Sequence, residues 1–344
     1  MLAGFAVALL VTGLIAYAVL AGADFGAGFW DLTAGSAERG ARVRGLIERS
    51  IGPVWESNHV WLIFVLVVCW TAFPTAFGSL MSTLAVALLI ALVGIMLRGA
   101  GFAFRGSSTT VAQQRFFGAF FAVSSLIVPF FLGAAIGGIA SGRVPAGNAQ
   151  GDPLTSWANP TSALIGVLAI VTGAYLAAVY MAGDAHRGGH DDLVERMRLR
   201  ALGAGVAAGL VALGGLFVVR EDARPLFDGL TEGAALVVVI ISIVAGAAGL
   251  WLIWTRRFGP ARLVAAAAVA AIACGWALAQ EPEFLPGALT VDEAAAGDAT
   301  LTALLIGFVV GVLVLAPSLL LLWRLVLRGR LDRDFRPLGP ERRQ

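Results

Sequence analysis

Nine stretches of predominantly apolar residues follow one another along this chain, at roughly 2–23, 54–73, 76–97, 116–140, 161–183, 201–219, 234–254, 262–280 and 301–326. A bilayer core about 30 Å thick is crossed by roughly 20 helical residues. Lipid also offers no partner to backbone N–H and C=O groups, so only helices and closed barrels can span it. Runs of this length predict an all-α polytopic membrane protein with nine transmembrane helices. The second and third runs are parted only by the turn around Pro74, which keeps 54–97 from being one overlong crossing. Composition agrees. Charged residues make up 13% of the chain, against about 25% in a soluble domain, and the mean hydropathy is +0.86. Nucleic acid is not an expected partner; membrane lipid is.

The charges set an orientation. All 24 basic residues are Arg, and 21 of them fall in residues 31–53, 98–115, 184–200 and 255–262 or from Arg324 onward. The alternate loops hold only Arg143, Arg220 and Arg224, together with acids such as Asp222, Glu232, Glu283 and Asp292. The positive-inside rule then predicts an outside N-terminus and an inside C-terminus, which requires an odd number of spans. Trp30, Trp55, Trp251, Trp254 and Trp323 fall near the expected inner interface, and Trp70, Trp157 and Trp276 near the outer one. Such aromatic belts are typical of membrane spans. Trp61 lies about 9–10 Å deeper than Trp55 at 1.5 Å per residue, so it is expected in the hydrocarbon or in a protein contact. Residues 5–21 end in a cleavage-like Ala21-Gly22-Ala23, but no basic residue precedes Arg39. The segment therefore reads as a retained first span rather than a signal peptide.

A faint repeat relates Ala16-Tyr17…Asp24 to Ala174-Tyr175…Asp184, four spans apart. It predicts two four-helix bundles of the same orientation, 1–140 and 141–280. Residues 281–344 would follow as an outer loop, an extra ninth helix and a basic cytoplasmic tail. The 43 glycines suit close helix contacts in lipid.

The chemistry concentrates in Gly52-Pro53-Val54-Trp55-Glu56-Ser57-Asn58-His59-Val60-Trp61. Proline suits the first helical turn, where its missing N–H is not needed. Ionisable groups in a span cost about 2.5–3.5 kcal/mol each at the helix centre, so their retention asks for a use. Glu56 and His59 are three residues apart and share a helix face; Asn58 and Trp61 share the next. Asp24 is expected at the inner end of the first span, on the same side as Glu56. Asp24, Glu56, Asn58 and His59 together form a candidate proton path. The competing reading makes Glu56 a helix N-terminal charge favoured by the dipole, and Asp24 a snorkelling acid.

The chain itself is expected to bind no heme and no metal. Heme iron usually takes axial ligands from packed helices. Of the three histidines, His186 and His190 fall in a loop with Arg187 and Asp191, leaving only His59 near a span. Met81 and Met96, like Cys69 and Cys274, read as packing residues. There is no P-loop, dinucleotide fingerprint, CxxC or HExxH.

These residues resemble the second subunit of cytochrome bd-type terminal oxidases. The family's Gly-Phe-Asp-x-Gly-x-Gly is matched by Gly22-Ala23-Asp24-Phe25-Gly26-Ala27-Gly28. Its Gly-Pro-x-Trp-Asp-Gly-Asn-Gln-Val-Trp is matched by residues 52–61. Ala72-Phe73-Pro74, Ser124-Ser125 to Pro129, and Leu285-Pro286-Gly287-Ala288-Leu289-Thr290 extend the likeness along the chain. Glu56, Ser57 and His59 replace the motif's Asp, Gly and Gln, and Ala21 replaces an acid, which suggests a divergent branch. The resemblance implies a heterodimer in a bacterial plasma membrane. Its heme-bearing subunit I would hold two b-type hemes and one d-type heme and oxidise quinol. This non-heme subunit would support assembly and bring protons from the cytoplasm, so that oxygen reduction builds a gradient. Some members also use it for an oxygen route, here assigned to Trp55 and Trp61 or else to subunit packing, or for a structural quinone. A proton-coupled secondary transporter or permease is the alternative from another class, and a purely structural subunit is a third.

Overall fold

Helix dominates because a membrane-buried backbone must satisfy its own hydrogen bonds. The structure, a computed structural model, describes residues 1–36, 38–52 and 55–327. In chain order its helices are α1 (Leu2–Leu32), α2 (Ala41–Ile51), α3 (Trp55–Ala72), α4 (Pro74–Thr83), α5 (Ala85–Ser107), α6 (Val111–Ala140), α7 (Pro160–Arg187), α8 (Asp191–Asp222), α9 (Arg224–Leu230), α10 (Gly233–Trp254), α11 (Phe258–Gln280), α12 (Val291–Ala294) and α13 (Asp298–Leu327). Strands β1 (Glu283–Leu285) and β2 (Leu289–Thr290) form a small antiparallel hairpin. Among the described residues, nine helices are long and apolar enough to cross a membrane: α1, α3, α5, α6, α7, α8, α10, α11 and α13. The Pro53 helix start and the basic tail beyond residue 327 lie outside the described residues.

Helices α1, α6 and α7 form the centre. α1 packs on α3, α6, α7 and α11, while α13 lies at the edge against α3 and α1. In lipid, helix association rests on close packing rather than on a hydrophobic drive, and the α1–α7 crossing illustrates it. A Cβ on Gly26 would lie 1.9 Å from the Gly173 carbonyl oxygen, and one on Gly173 would lie 2.7 Å from that of Gly22. Trp30 Nε1 clamps the same crossing by donating to the Ala174 carbonyl at 2.8 Å. The two helices carrying the Ala-Tyr…Asp repeat thus touch backbone to backbone.

The structure moves the third crossing. The sequence run predicts one span over 76–97, but the helix breaks at Leu84 (φ −96, ψ 14). Pro74 starts the separate helix α4. Ser79 and Ser82 hold α4 to the α6–α7 loop by accepting from the Gly147 and Ala149 N–H groups at 2.8 and 2.9 Å. The crossing therefore falls to α5, which runs on to Ser107, and the expected loop 98–115 shrinks to the residues between α5 and α6. Arg98, expected as a loop residue, sits nine residues before the end of α5, about 14 Å along the helix. Asp24 is displaced likewise. Because α1 continues to Leu32, Asp24 lies eight residues, or about 12 Å, from the Arg-rich end.

The glycine crossing yields a direct comparison. Gly26→Ala should destabilise the protein by about 3 kcal/mol or more, the upper end for overpacking, because its new methyl meets fixed backbone. Gly246→Ala on α10, with nothing within 4 Å, should leave melting and membrane level unchanged. Thermal melts of the two variants in detergent check this.

Candidate functional site

Where α1, α3, α5 and α6 meet, Arg98 is only 1% exposed. Its Nη2 donates to the Asp24 carbonyl oxygen at 2.7 Å and its Nε to Ser125 Oγ at 3.1 Å. The Ser125 hydroxyl in turn donates to the Phe121 carbonyl at 2.6 Å. The guanidinium lies between the rings of Phe25 and Phe121, 4.9 and 4.8 Å from their centroids. Cation–π contacts of this kind gain most when desolvated, on the order of 2 kcal/mol. The Asp24 carboxylate takes its own hydrogen bond from Asn58 Nδ2 at 2.6 Å.

The sequence explains how such a residue reaches the centre. Gly94, Arg98, Gly101 and Arg105 fall on one face of α5 at helical spacing. A Cβ on Gly101 would meet the Phe117 oxygen at 2.8 Å, so α6 lies close enough for Ser125 and Phe121 to reach the guanidinium. Gly28 does the same on α1, where a Cβ would fall 2.0 Å from Ser125 Oγ.

A second charged layer repeats the first. Asp31 and Arg105 each lie seven residues beyond Asp24 and Arg98, two helical turns or about 10.5 Å, and form a short ion pair. Arg105 also reaches Glu48 at 3.5 Å, and Arg44 Nε donates to Asp31 Oδ1 at 2.7 Å. Helix α2 supplies Arg44 and Glu48. It is held in place by buried Val43, Leu46, Ile47 and Ile51. Phe121 separates the layers, with Arg98 on one side and Arg105 5.8 Å from its centroid on the other.

His59 stands beside the upper layer, with ring centroids of Phe25, Tyr17 and Trp55 at 5.7, 6.0 and 6.3 Å. Its Nδ1 and the Tyr17 hydroxyl are buried without hydrogen-bond partners among the described residues. Trp55 also packs on Phe102 at 5.2 Å. Trp61 is half-buried against the Tyr17–Phe25–Val128 cluster, a protein contact rather than an interface anchor. Glu56 sits apart from this group. It is exposed, on the outward face of α3 that continues through Val60, Ile63, Val67 and Trp70. Asp24, Asn58 and His59 are thus gathered around Arg98, and Glu56 is presented at the surface.

His186 is exposed beside Phe258, and Met96 is 65% exposed. Among the described residues no three His, Cys, Asp or Glu side chains come together as metal ligands would. A largely apolar cavity of about 1240 Å³ runs from Tyr17 and Gly22 on α1 to Trp276 and Gln280 on α11, with Cys69 and Cys274 also in its wall.

Sequence reasoning missed Arg98, Arg105 and Asp31. The matching seven-residue spacing of the two acids on α1 and the two arginines on α5 was the available signal.

The family model for cytochrome bd terminal oxidase subunit II matches residues 2–326. The chain belongs to this family. A putative cytochrome bd menaquinol oxidase subunit II of Bacillus subtilis is 24% identical over 330 residues, covering 91% of this chain and 92% of the relative. A second Bacillus subtilis protein, cytochrome bd ubiquinol oxidase subunit 2, is 32% identical over 119 residues. That match covers 35% of this chain and about a third of the relative's length. The solved structure of bd oxidase from Geobacillus thermodenitrificans matches with a TM-score of 0.76 and 26% identity, over 95% of this chain and 98% of that one. The nine-helix membrane fold is therefore that of a cytochrome bd subunit II.

Within this cytochrome bd subunit II, removing the buried guanidinium should be costly. Arg98→Gln should destabilise the protein by roughly 3–5 kcal/mol, the scale for stranding one partner of a buried polar set. Arg98→Lys should recover only part, because an ammonium lacks the planar fork that spans Asp24 and Ser125 and stacks between rings. Melting of the three purified proteins side by side measures the difference.

Proposed function

We propose that this chain is the non-heme subunit of a cytochrome bd-type quinol:oxygen oxidoreductase in a bacterial plasma membrane. It pairs with a heme-bearing subunit I and supplies protons from the cytoplasmic side for reduction of oxygen to water. The N-terminus lies outside and the C-terminus inside, in keeping with the Arg distribution. Residues 1–140 and 141–280 act as two bundles meeting at the α1–α7 crossing.

The observation that carries this reading is the contrast between Asp24 and Glu56. An exposed carboxylate at the head of an apolar helix face is costly in lipid, so a partner subunit covers that face. About half a helical turn away in sequence, Asn58 on the same helix holds the buried Asp24. Protons arrive at the Arg-rich end, past the Asp31–Arg105 layer. Asp24 takes one up at its carboxylate, with the Asn58 amide fixing its orientation and Arg98 setting the local field. His59 and Glu56 continue the path, and Glu56 releases the proton to the partner. Trp55 and Trp61 hold the aromatic packing around this path. A transporter is disfavoured by the acids' grouping toward one end of the bundle.

A structural quinone, which the family implies for some members, suits the large cavity. Its wall is mainly apolar, and the Tyr17 hydroxyl, Trp276 Nε1 and Gln280 Oε1 are buried there without hydrogen-bond partners among the described residues. A donor among these groups would hold a carbonyl oxygen of the quinone ring, and the apolar wall its tail.

Glu56→Gln preserves size but cannot carry a proton at neutral pH. The variant complex should keep its heme content while oxygen consumption falls at least about tenfold, given the roughly 10²–10⁴-fold contribution of positioned proton-transfer groups. Glu56→Asp should retain more activity. Full turnover in Glu56→Gln at normal heme content would reduce this residue to a surface charge.

A further inference from the structure

Most arginines on α8 and its surroundings have acidic partners. Arg187 and Arg262 pair with Asp184, Arg198 and Arg256 with Glu195, and Arg42 with Asp192. Arg196 and Arg200, one turn apart on α8, have none among the described residues. Their like charges repel at this spacing. Arg200 stacks over Trp30 with 4.9 Å from guanidinium to ring centroid, and its Nη2 donates to the Thr33 carbonyl at the end of α1 at 3.4 Å. Its Nη1, however, is buried and has no acceptor among the described residues. A desolvated, unused N–H on one guanidinium, beside a second guanidinium without a counter-charge, is a site lacking an anion.

What lies beside it identifies the anion. Arg196 is exposed at the head of a single outward face of α8 that continues through Leu199, Gly203, Val206 and Leu210. Leu199, Val206 and Leu210 are 58%, 51% and 68% exposed. At Gly203 an added Cβ would meet no atom within 4 Å, so the face carries a shallow open notch. A soluble anion would have no use for this apolar track. A phosphodiester with acyl chains would use both, its phosphate on the two guanidiniums, which match phosphate geometry, and a chain along the helix.

We propose that Arg196 and Arg200 bind the phosphate of an anionic phospholipid in the leaflet at the Arg-rich end, with an acyl chain laid along α8 past Gly203. The full chain, purified in detergent with its co-purifying partner, is melted against increasing phosphatidylglycerol, phosphatidylcholine or inorganic phosphate. Phosphatidylglycerol should stabilise the wild type and Arg115→Gln, an exposed arginine elsewhere, at the same concentration. Arg196→Gln should need roughly fivefold more, from the attraction of one basic residue at a charged membrane surface. Arg200→Gln should behave like Arg196→Gln; if it fails to accumulate, the exposed Arg196 decides the question. An unchanged phosphatidylglycerol dependence in Arg196→Gln would overturn the proposal. So would equal stabilisation by phosphatidylcholine, or full stabilisation by inorganic phosphate alone.

Discussion

An arginine near the middle of a membrane-spanning helix has to be satisfied by protein, because hydrocarbon offers it nothing. Much of the first half of this chain is organised around that requirement at Arg98. Glycines at 94 and 101 bring α6 within reach, Gly28 brings α1 in, and two phenylalanines close over the faces of the guanidinium. The Asp24 carbonyl and Ser125 hydroxyl take its protons. Once α1 is held there, its other face is free to meet α7 at Gly173.

The same requirement explains the second layer. Asp31, Arg44, Glu48 and Arg105 form a denser set of ion pairs nearer the Arg-rich end. Here α2, an amphipathic helix, acts as a cover rather than a span. Phe121 parts this layer from the upper one. The arrangement leaves Asp24 in a small polar pocket with Asn58, flanked by the aromatic box around His59. Glu56 is turned the opposite way, toward the exposed face of α3. Under the proposed function, this division between an enclosed acid and a presented one gives each its part in proton delivery to a partner.

Much of this was legible in the sequence. Among the described residues the nine apolar runs correspond to nine crossing helices, with the third shifted toward α5, since lipid permits little else. Asp24, Asn58 and His59 stood out because polar groups in such runs are costly. The depth of the site was not legible. A run of apolar residues does not reveal where a helix breaks, and below the break at Leu84 Ser79 and Ser82 bind a loop more than 60 residues away. With α4 removed from the crossing, Arg98 passes from an expected loop to the interior. Arginine counting could not distinguish a loop residue from one buried between two rings. The outward turn of Glu56 was equally hidden, because a shared helix face says which residues are neighbours and not which way that face points.

On the proposed function, Asp24 lies on the route by which protons reach the site of oxygen reduction. Proton uptake from the cytoplasmic side can be followed with a pH-sensitive dye after oxygen is mixed with the fully reduced complex in oriented vesicles. Asp24→Asn should slow this uptake and the accompanying oxygen reduction, while anaerobic reduction of the hemes by quinol proceeds at the wild-type rate. Uptake at the wild-type rate in Asp24→Asn, with normal heme content, would contradict it.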